Sequence, residues 1–394
     1  MKKFGFSAWF FLFITIALFL YSYTQVDLGL TLSRVSIFQT IEKNFQYIGY
    51  FNRPLSTACY SGLLLLLFAG YIRLLYIAAK GNMQRKTFWF LTMLITIILT
   101  FSYNAFSYDL FNNIFDAKII THYHQNPYVH NALDFPKDPM LGFMHWTQRD
   151  YPYGPVWLFF SVPLSFIGAN IFLLTFFLFK IFAGLSYVGT VYFLEKIASQ
   201  LDKKTALFKT MLFALNPLVL IEGLVSAHND MTMFFFAVMG LYLLMQQKHI
   251  AAGISLLVSI GIKFATVFLA PVFLGVSLLQ VAKKNIHWEK MFLLITLLMI
   301  PALFAVTIRT TFQPWYLLYV LTFCCLIGDR LYSAIPSVIA SFFALTEYVP
   351  FLYAGNWNPP IPAILNTITL TGLAICIVVI VFLVFSKRSY NVLQ

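Results

Sequence analysis

Four polar side chains recur at helical spacing just after the third apolar segment of the chain. Asp109, Asn112, Asn113 and Asp116 stand at positions i, i+3, i+4 and i+7, which places them on one face of a helix. Apolar residues cover another face, so the spacing predicts a helix that directs carboxylates and amides towards a cavity. Asp109 also suits a helix N-cap, and neither role excludes the other. We interpret the stretch 107–154 as one wall of an active site, because long ordered loops are usually functional.

A second group of polar residues lies at the ends of apolar segments further along the chain. His228, Asn229 and Asp230 separate two such segments, and they could equally be an ordinary turn in which Asp230 caps the next helix. Lys263 lies within a strongly apolar passage, where a solvated surface explains a charge poorly. A cation there requires an anion, such as a phosphate or a carboxylate, unless its amine snorkels to the membrane interface. Arg309 could likewise be an interfacial anchor.

The histidines and cysteines do not form the pattern of a metal site. The four histidines of the stretch 107–154 lack H-x-x-x-H and HExxH spacing, so we predict no metal ligands among them. All four cysteines of the chain fall in apolar segments, where they suit a packed core. Trp315 and Tyr316 could belong to the aromatic belt of a membrane protein.

The composition identifies the elements that must position these residues as membrane helices. Hydrophobic residues make up 60% of the chain and charged residues 10%, whereas soluble domains are about 25% charged. A formal charge of +12 would suggest nucleic acid in a soluble protein, but here it indicates basic cytoplasmic loops. The predicted fold is therefore an all-α transmembrane bundle, in one domain over 1–394. The candidate spans are 7–23, 56–79, 88–106, 170–194, 206–226, 231–246, 250–261, 264–282, 291–308, 314–328, 331–346 and 361–386.

The distribution of basic residues predicts the orientation of the bundle. Sixteen lysines and arginines fall in short segments, but only three in each of the long polar segments 24–54 and 107–154. The positive-inside rule then gives about twelve crossings with both termini in the cytoplasm. This parity requires 155–168 to be re-entrant or interfacial, since a crossing there would carry the lysines of 196–209 outside. The segment 24–55 is expected to lie at the extracytoplasmic interface as an amphipathic helix.

Six short sequences follow one another in an order that resembles a known family. They are YDLFNNIFDAKII at 108–120, NPY at 126–128, YPYGPVW at 151–157, HND at 228–230, GIKF at 261–264 and QPWY at 313–316. Over residues 100–330 the chain resembles the C-type (GT-C) superfamily of integral-membrane glycosyltransferases. Within it, the chain is similar to the bacterial branch that includes polyprenol-phosphate-mannose-dependent mannosyltransferases.

The resemblance implies a reaction and a role for each matched residue. A sugar carried on a polyprenyl phosphate would be transferred to an acceptor hydroxyl outside the cytoplasm, with inversion and without a cofactor. Asp109 would be the general base, because a hydroxyl is a poor nucleophile until a carboxylate takes its proton. Lys263 and Arg309 would neutralise the leaving phosphate. The residues implied in sugar or acceptor binding are Asn113, Asp116, Tyr128, His228, Asp230, Gln313, Trp315 and Tyr316.

The same resemblance implies the location and partners of the protein, and it leaves alternatives. We expect a multi-pass protein of the plasma membrane that uses a lipid-linked donor, with mannose favoured, and a glycan, glycolipid or protein acceptor. The alternatives are a transporter or flippase of a lipid-linked glycan, and a structural subunit of a cell-envelope assembly. A flippase would need polar groups that continue across the bilayer, whereas the candidate residues collect at one side.

Overall fold

A computed structural model of the chain describes residues 5–386, which form helices and connecting segments without a strand in that range. Lys2, Lys3, Lys387 and Arg388, on which the predicted location of the termini rests, lie outside the described residues. Seventeen α-helices make up this range: α1 Phe6–Ser22, α2 Ser36–Gln46, α3 Arg53–Ala79, α4 Arg85–Thr100, α5 Asp109–Thr121, α6 Pro155–Ile167, α7 Phe172–Leu201, α8 Ala206–Ala214, α9 Pro217–Leu220, α10 Asp230–Met245, α11 His249–Ile262, α12 Ala270–Val281, α13 Trp288–Arg309, α14 Leu318–Cys324, α15 Leu331–Thr346, α16 Tyr348–Ala354 and α17 Ile361–Phe385.

Seven helical segments within residues 5–386 are long and apolar enough to cross a membrane, which confirms the predicted all-α membrane fold. They are Phe6–Gln25, Arg53–Ala79, Phe172–Leu201, Phe264–Val281, Trp288–Arg309, Leu331–Ala354 and Ile361–Phe385. Four other apolar helices have 10–17 residues, and a helix of that length is shorter than the roughly 20 residues that span a bilayer. The count of twelve crossings therefore stays a prediction.

The predicted span 206–226 is not one continuous helix. The chain bends by 51° between α8 and the following segment Pro217–Val225, because Asn216 caps the new start through the N–H of Leu218 and Pro217 cannot continue α8. A π-helical turn, Ile221–Val225, follows directly. This break places Glu222 and His228 in the interior of the bundle.

A buried lysine of α7 holds the end of this π-helical turn. The Lys180 side chain is among the largest fully buried ones in the protein. Its ammonium donates to the carbonyls of Leu224 and Val225, at 2.5 and 2.8 Å, and to the hydroxyl of Ser102, at 3.1 Å. Carbonyls at a helix end have no partner within the helix, so Lys180 satisfies them and fixes the approach to His228.

The helix that carries Asp109 is enclosed by protein. Both asparagines of its predicted polar face are buried, and Phe111 packs against rings of α7, 6.0 Å from Phe172 and 6.2 Å from Phe176. The adjoining α6 packs on α5, α7 and α11. The structure thus forms a helix within the predicted re-entrant segment 155–168, and the path of that segment relative to the membrane stays a prediction.

Two further expectations concern polar and interfacial segments. The predicted amphipathic helix of 24–55 is present as α2, which exposes Ile37 and Ile41, and its location at the interface stays a prediction. Lys209, which we counted among cytoplasmic loop residues, instead lies in α8 with 2% of its side chain exposed and pairs with Asp329 at 3.0 Å. Pairing with this carboxylate offsets the cost of burying the Lys209 ammonium.

Candidate active site

Two glycines bring the loop before α6 into contact with the end of α11. The backbone N–H of Gly154 donates to the carbonyl of Ile262 at 3.2 Å. A Cβ on Gly154 would lie 2.1 Å from the carbonyl oxygen of Gly261, so only glycine permits this approach. The contact holds Tyr153 beside Lys263, whose Nζ lies 5.8 Å from the centre of the tyrosine ring.

Lys263 occupies the break between α11 and the 3-10 turn Phe264–Leu269. Its Nζ donates to both carboxylate oxygens of Asp230, at 2.9 Å each, and also lies within 5.8 Å of the ring centres of Tyr316 and Tyr319. The Asp230 side chain is 0% exposed and that of Lys263 is 16% exposed. The sequence left a phosphate or a carboxylate open as the partner of this lysine, and in the structure the partner is a carboxylate of the protein itself.

The imidazole of His228 lies between two carboxylates. Its Nδ1 is 3.6 Å from Oδ2 of Asp109, and its Nε2 is 3.3 Å from Oε2 of Glu222. The other oxygen of Glu222 accepts a hydrogen bond from the Tyr348 hydroxyl at 2.8 Å. Trp315 stacks on the imidazole with ring centres 4.2 Å apart, which holds the ring in one plane. Asp109 retains 13% exposure, whereas Glu222 has none.

Arg149 brings a positive charge near the carboxyl groups of Asp109 and Asp116. Its guanidinium contacts the Tyr153 hydroxyl at 3.5 Å. Burial lowers the pKa of this guanidinium, but Tyr153 and Asp109 outweigh that effect and raise it. Burial also raises the pKa of the Asp116 carboxyl from 3.8 to about 8, with Arg149 lowering it and Asp109 raising it further. The raised pKa favours the protonated form of Asp116, which can donate a hydrogen bond.

The comparison with known families decides what kind of protein holds this site. The family model described as alpha-(1->6)-mannopyranosyltransferase, N-terminal domain (MptA_B family) matches residues 15–280, which is more than half of the chain. The chain belongs to this family. It is a GT-C type mannosyltransferase family, so the protein is a membrane glycosyltransferase, and the resemblance seen in the sequence is confirmed. No curated protein and no solved structure matches the chain.

Most of the predicted site residues of this mannosyltransferase lie together. The matched region supplies the acidic residues of α5, the histidine and aspartate of HND, and the lysine of GIKF. The aromatic pair Trp315 and Tyr316 lies after residue 280, beyond the matched region. Those that converge are Asp109, Asp116, His228, Asp230, Lys263, Trp315 and Tyr316. Four separate segments of the chain therefore meet at one place.

Other predicted site residues contact neighbours outside this converging group or lie at its edge. Asn113 is buried and accepts from the indole N–H of Trp157 at 3.0 Å, so it holds α5 against α6. Gln313 donates to the hydroxyl of Thr311 at 3.1 Å. Arg309 is exposed at the end of α13 and forms no ion pair within residues 5–386.

Tyr128 lies beside the glycine contact rather than among the charged residues. Its hydroxyl donates to the carbonyl of Tyr153 at 3.3 Å, and its ring meets that of Tyr151 edge-on at 5.0 Å. The tyrosine therefore supports the loop that presents Tyr153. Its predicted part in binding sugar or acceptor stays a prediction.

Reasoning from the sequence missed three residues of the mannosyltransferase site, and two of them carried a signal. Glu222 is a lone acid in an apolar run, and ionisable residues at membrane depth are usually functional. Arg149 is one of three basic residues in the stretch 107–154. Tyr153 belongs to the motif YPYGPVW, but its position between Arg149 and Lys263 follows only from the Gly154 contact.

The raised pKa of Asp116 predicts a pH dependence of stability. From 3.8 to about 8 the folded state holds a proton that the unfolded state has lost, so stability falls as pH rises through that window, by up to about 1.4 kcal/mol per pH unit. Asp116→Asn removes this effect. We expect the variant to gain thermal stability over wild type as pH rises from 5 to 8, measured by tryptophan fluorescence. A constant difference between the two proteins would contradict the raised pKa.

Proposed function

We propose that this mannosyltransferase moves a mannosyl residue from a polyprenyl phosphate to the hydroxyl of an acceptor outside the cytoplasm, with inversion at the anomeric carbon. The observation that carries the proposal is the convergence of Asp109, His228 and the Lys263–Asp230 pair. Such a site combines a carboxylate that can take a proton with cations that can face a leaving phosphate.

Asp109 is the general base of the proposed reaction. Its side chain is 13% exposed, so an acceptor hydroxyl can reach it, while the deeper Asp230 is fully buried and paired. The carboxylate removes the hydroxyl proton as the oxygen attacks the anomeric carbon, and the bond to the phosphate oxygen breaks. Inversion follows from this single displacement.

The charge of Lys263 is paired with Asp230. Arg149 therefore supplies the positive charge that the donor phosphate needs. Arg149 is an exposed residue, and its guanidinium is partly enclosed beside Tyr153, near Asp109 and Asp116. A planar guanidinium also suits two phosphate oxygens. We propose that Arg149 contacts the donor phosphate, with the third N–H of Lys263 as a second donor and Arg309 as a further cation at the margin.

Arg149→Gln should lower kcat/KM for the lipid donor by about a hundredfold, the smaller effect of removing one donor to a developing anion. Lys137→Gln is the matched control, because Lys137 is an exposed cation of the same loop. The measurement is steady-state transfer at varied donor concentration. Equal losses in both variants would show a general effect of loop charge and remove Arg149 from the donor site.

The proposed location is the plasma membrane, with both termini in the cytoplasm and the stretch 107–154 outside. The clustering of basic residues in short segments supports this orientation. Single cysteines at Val129 and Lys203, both exposed, would test it with a membrane-impermeant maleimide on intact cells. We expect labelling at position 129 only, and labelling at 203 alone would reverse the topology.

We propose that transfer needs no metal ion. Within residues 5–386 no three His, Cys, Asp or Glu side chains could hold a metal; the imidazole of His228 separates the carboxylates of Asp109 and Glu222 instead of joining them at one point. Activity should persist in EDTA. Its loss in EDTA and return with a divalent cation would overturn this proposal.

The experiment that tests the function offers the purified protein a panel of polyprenyl-phosphate sugars and a simple mannoside as acceptor. We expect transfer of mannose from the mannosyl donor, with release of polyprenyl phosphate. Donor that moves between the leaflets of a liposome without bond cleavage would identify a flippase instead. The acceptor and the linkage follow from the product.

A further inference from the structure

Glu222 gives His228 a second carboxylate that no role yet explains. It has no exposed side-chain surface, and its two oxygens face the Nε2 of His228 at 3.3 Å and the hydroxyl of Tyr348 at 2.8 Å. Asp109 faces the other ring nitrogen at 3.6 Å. The imidazole thus lies between the proposed base and a buried acid, and within residues 5–386 neither its Nε2 nor Oε2 of Glu222 has another hydrogen-bond partner.

A neutral imidazole carries one N–H and one lone pair, so it can donate to only one of these two carboxylates. Glu222 is fully buried, and an uncompensated charge there costs more than at the partly solvated Asp109. The single N–H therefore belongs on Nε2, facing Glu222. The lone pair of Nδ1 then faces Asp109, and two acceptors 3.6 Å apart lack the proton that would join them.

We propose that Glu222 is a positioning residue that sets the tautomer of His228, so that Nδ1 shares the proton which Asp109 takes from the acceptor. This inference rests on the proposed function. The acceptor oxygen bonds to the anomeric carbon as the bond from that carbon to the phosphate oxygen breaks, and the electron pair leaves on the phosphate. The hydroxyl proton moves to Asp109 and is held between its Oδ2 and the Nδ1 of His228 until solvent takes it.

The groups that face this relay come from several elements. The imidazole is flanked by Asp109 of α5 and Glu222 of the π-helical turn, and it stacks on the non-titrating Trp315. Glu222 is also close to Tyr348 of α16 and Tyr60 of α3.

A second group of charged and titratable residues surrounds Asp109, the proposed base. Asp109 is near Asp116 and Arg149, and it shares its surroundings with Tyr153 and Tyr316. Arg149 is the positive one among these neighbours. A change at Glu222 must therefore be compared with a change at a second buried acid that contacts neither Asp109 nor His228.

The first test reads the tautomer of His228 without reference to activity. Protein labelled with ¹⁵N-histidine in lipid discs gives separate nitrogen signals for the two tautomers, and His228→Asn identifies those of His228. We expect the Nε2–H form at neutral pH. The Nδ1–H form or a doubly protonated ring in wild type would overturn the proposal, even if the protein transfers no sugar.

The second test is Glu222→Gln, with Glu347→Gln as matched control because Glu347 is a buried acid held by the hydroxyl of Thr369. Without the charge at 222, the N–H moves to Nδ1 and donates to Asp109, which weakens that base. We expect the tautomer signals to switch and kcat to fall at least about tenfold.

The pH profile separates positioning from folding in this test. In Glu222→Gln the acidic side of the pH profile of kcat should shift to lower pH, because the pKa of the base has fallen. The KM for donor should stay unchanged, because the donor contacts are intact. Glu347→Gln should resemble wild type in its tautomer signals, kcat, pH profile and KM for donor. Unchanged tautomer signals and pH profile in Glu222→Gln would overturn the proposal, and should that variant fail to fold, the wild-type tautomer decides alone.

Discussion

Asp109→Asn should reduce kcat for sugar transfer by at least about a hundredfold, the lower range for removal of a general base. The amide keeps the shape of the side chain but cannot take the acceptor proton. The variant should fold normally, because the carboxylate is partly exposed and lies 3.6 Å from its imidazole neighbour, beyond hydrogen-bond distance. The measurement is turnover of a polyprenyl-phosphate mannose by purified wild type and variant, with thermal unfolding recorded in parallel.

The control for this prediction is Asp150→Asn, which neutralises an exposed carboxylate of the same stretch. That carboxylate accepts a hydrogen bond from the Asn131 amide at 3.2 Å and lies outside the converging group. Near-normal turnover is expected from it. Full activity in a folded Asp109→Asn protein would exclude Asp109 as the base.

Lys263→Met should lower the free energy of unfolding by about 3–5 kcal/mol, the cost of leaving one member of a buried ion pair alone. The Asp230 carboxylate would remain, with 0% exposure and without the cation that both its oxygens contact. We expect a large fall in the temperature of thermal unfolding in detergent. A lysine that merely snorkelled to the interface would produce no such fall.

The double variant Asp230→Asn with Lys263→Met separates stability from donor binding. Removing both charges of a buried pair is often nearly neutral for stability, so folding should recover. Donor kcat/KM should stay low in the double variant, because the N–H that we assign to the phosphate is gone. Recovery of both properties would limit Lys263 to a structural role.

Local sequence patterns predicted the helical class, the polar face of α5 and the order of the motifs. These features depend on residues within a few positions of one another, where spacing alone determines which side chains share a face. The comparison with the mannosyltransferase family confirmed the reading that these motifs supported. Asn113 shows the limit of that approach: its spacing put it with Asp109 and Asp116, but its amide is held by Trp157.

The pairings across the bundle could not be predicted in the same way. The anion of Lys263 comes from a residue 33 positions earlier, and no local pattern distinguishes that carboxylate from a bound phosphate. The break in 206–226 was equally hidden, because a run of apolar residues looks the same whether it spans a lipid bilayer or packs inside a protein. If 206–226 is interpreted as one span, Glu222 is simply a residue within it. The break and the π-helical turn place Glu222 beside His228.

The contacts of Lys180 have a consequence for the biosynthesis of the protein. Its amine reaches the carbonyls of residues that are synthesised 44 and 45 positions later, so α7 leaves the ribosome before these two partners exist, whereas Ser102 has already been made. A charged side chain costs about 2.5–3.5 kcal/mol at the centre of an inserted helix on insertion scales, and Lys180, in the first third of α7, carries part of that cost. The apolar residues of the helix must offset that cost, or the helix must wait beside the translocon until the π-helical turn Ile221–Val225 is made. The order of insertion is then coupled to the assembly of the site.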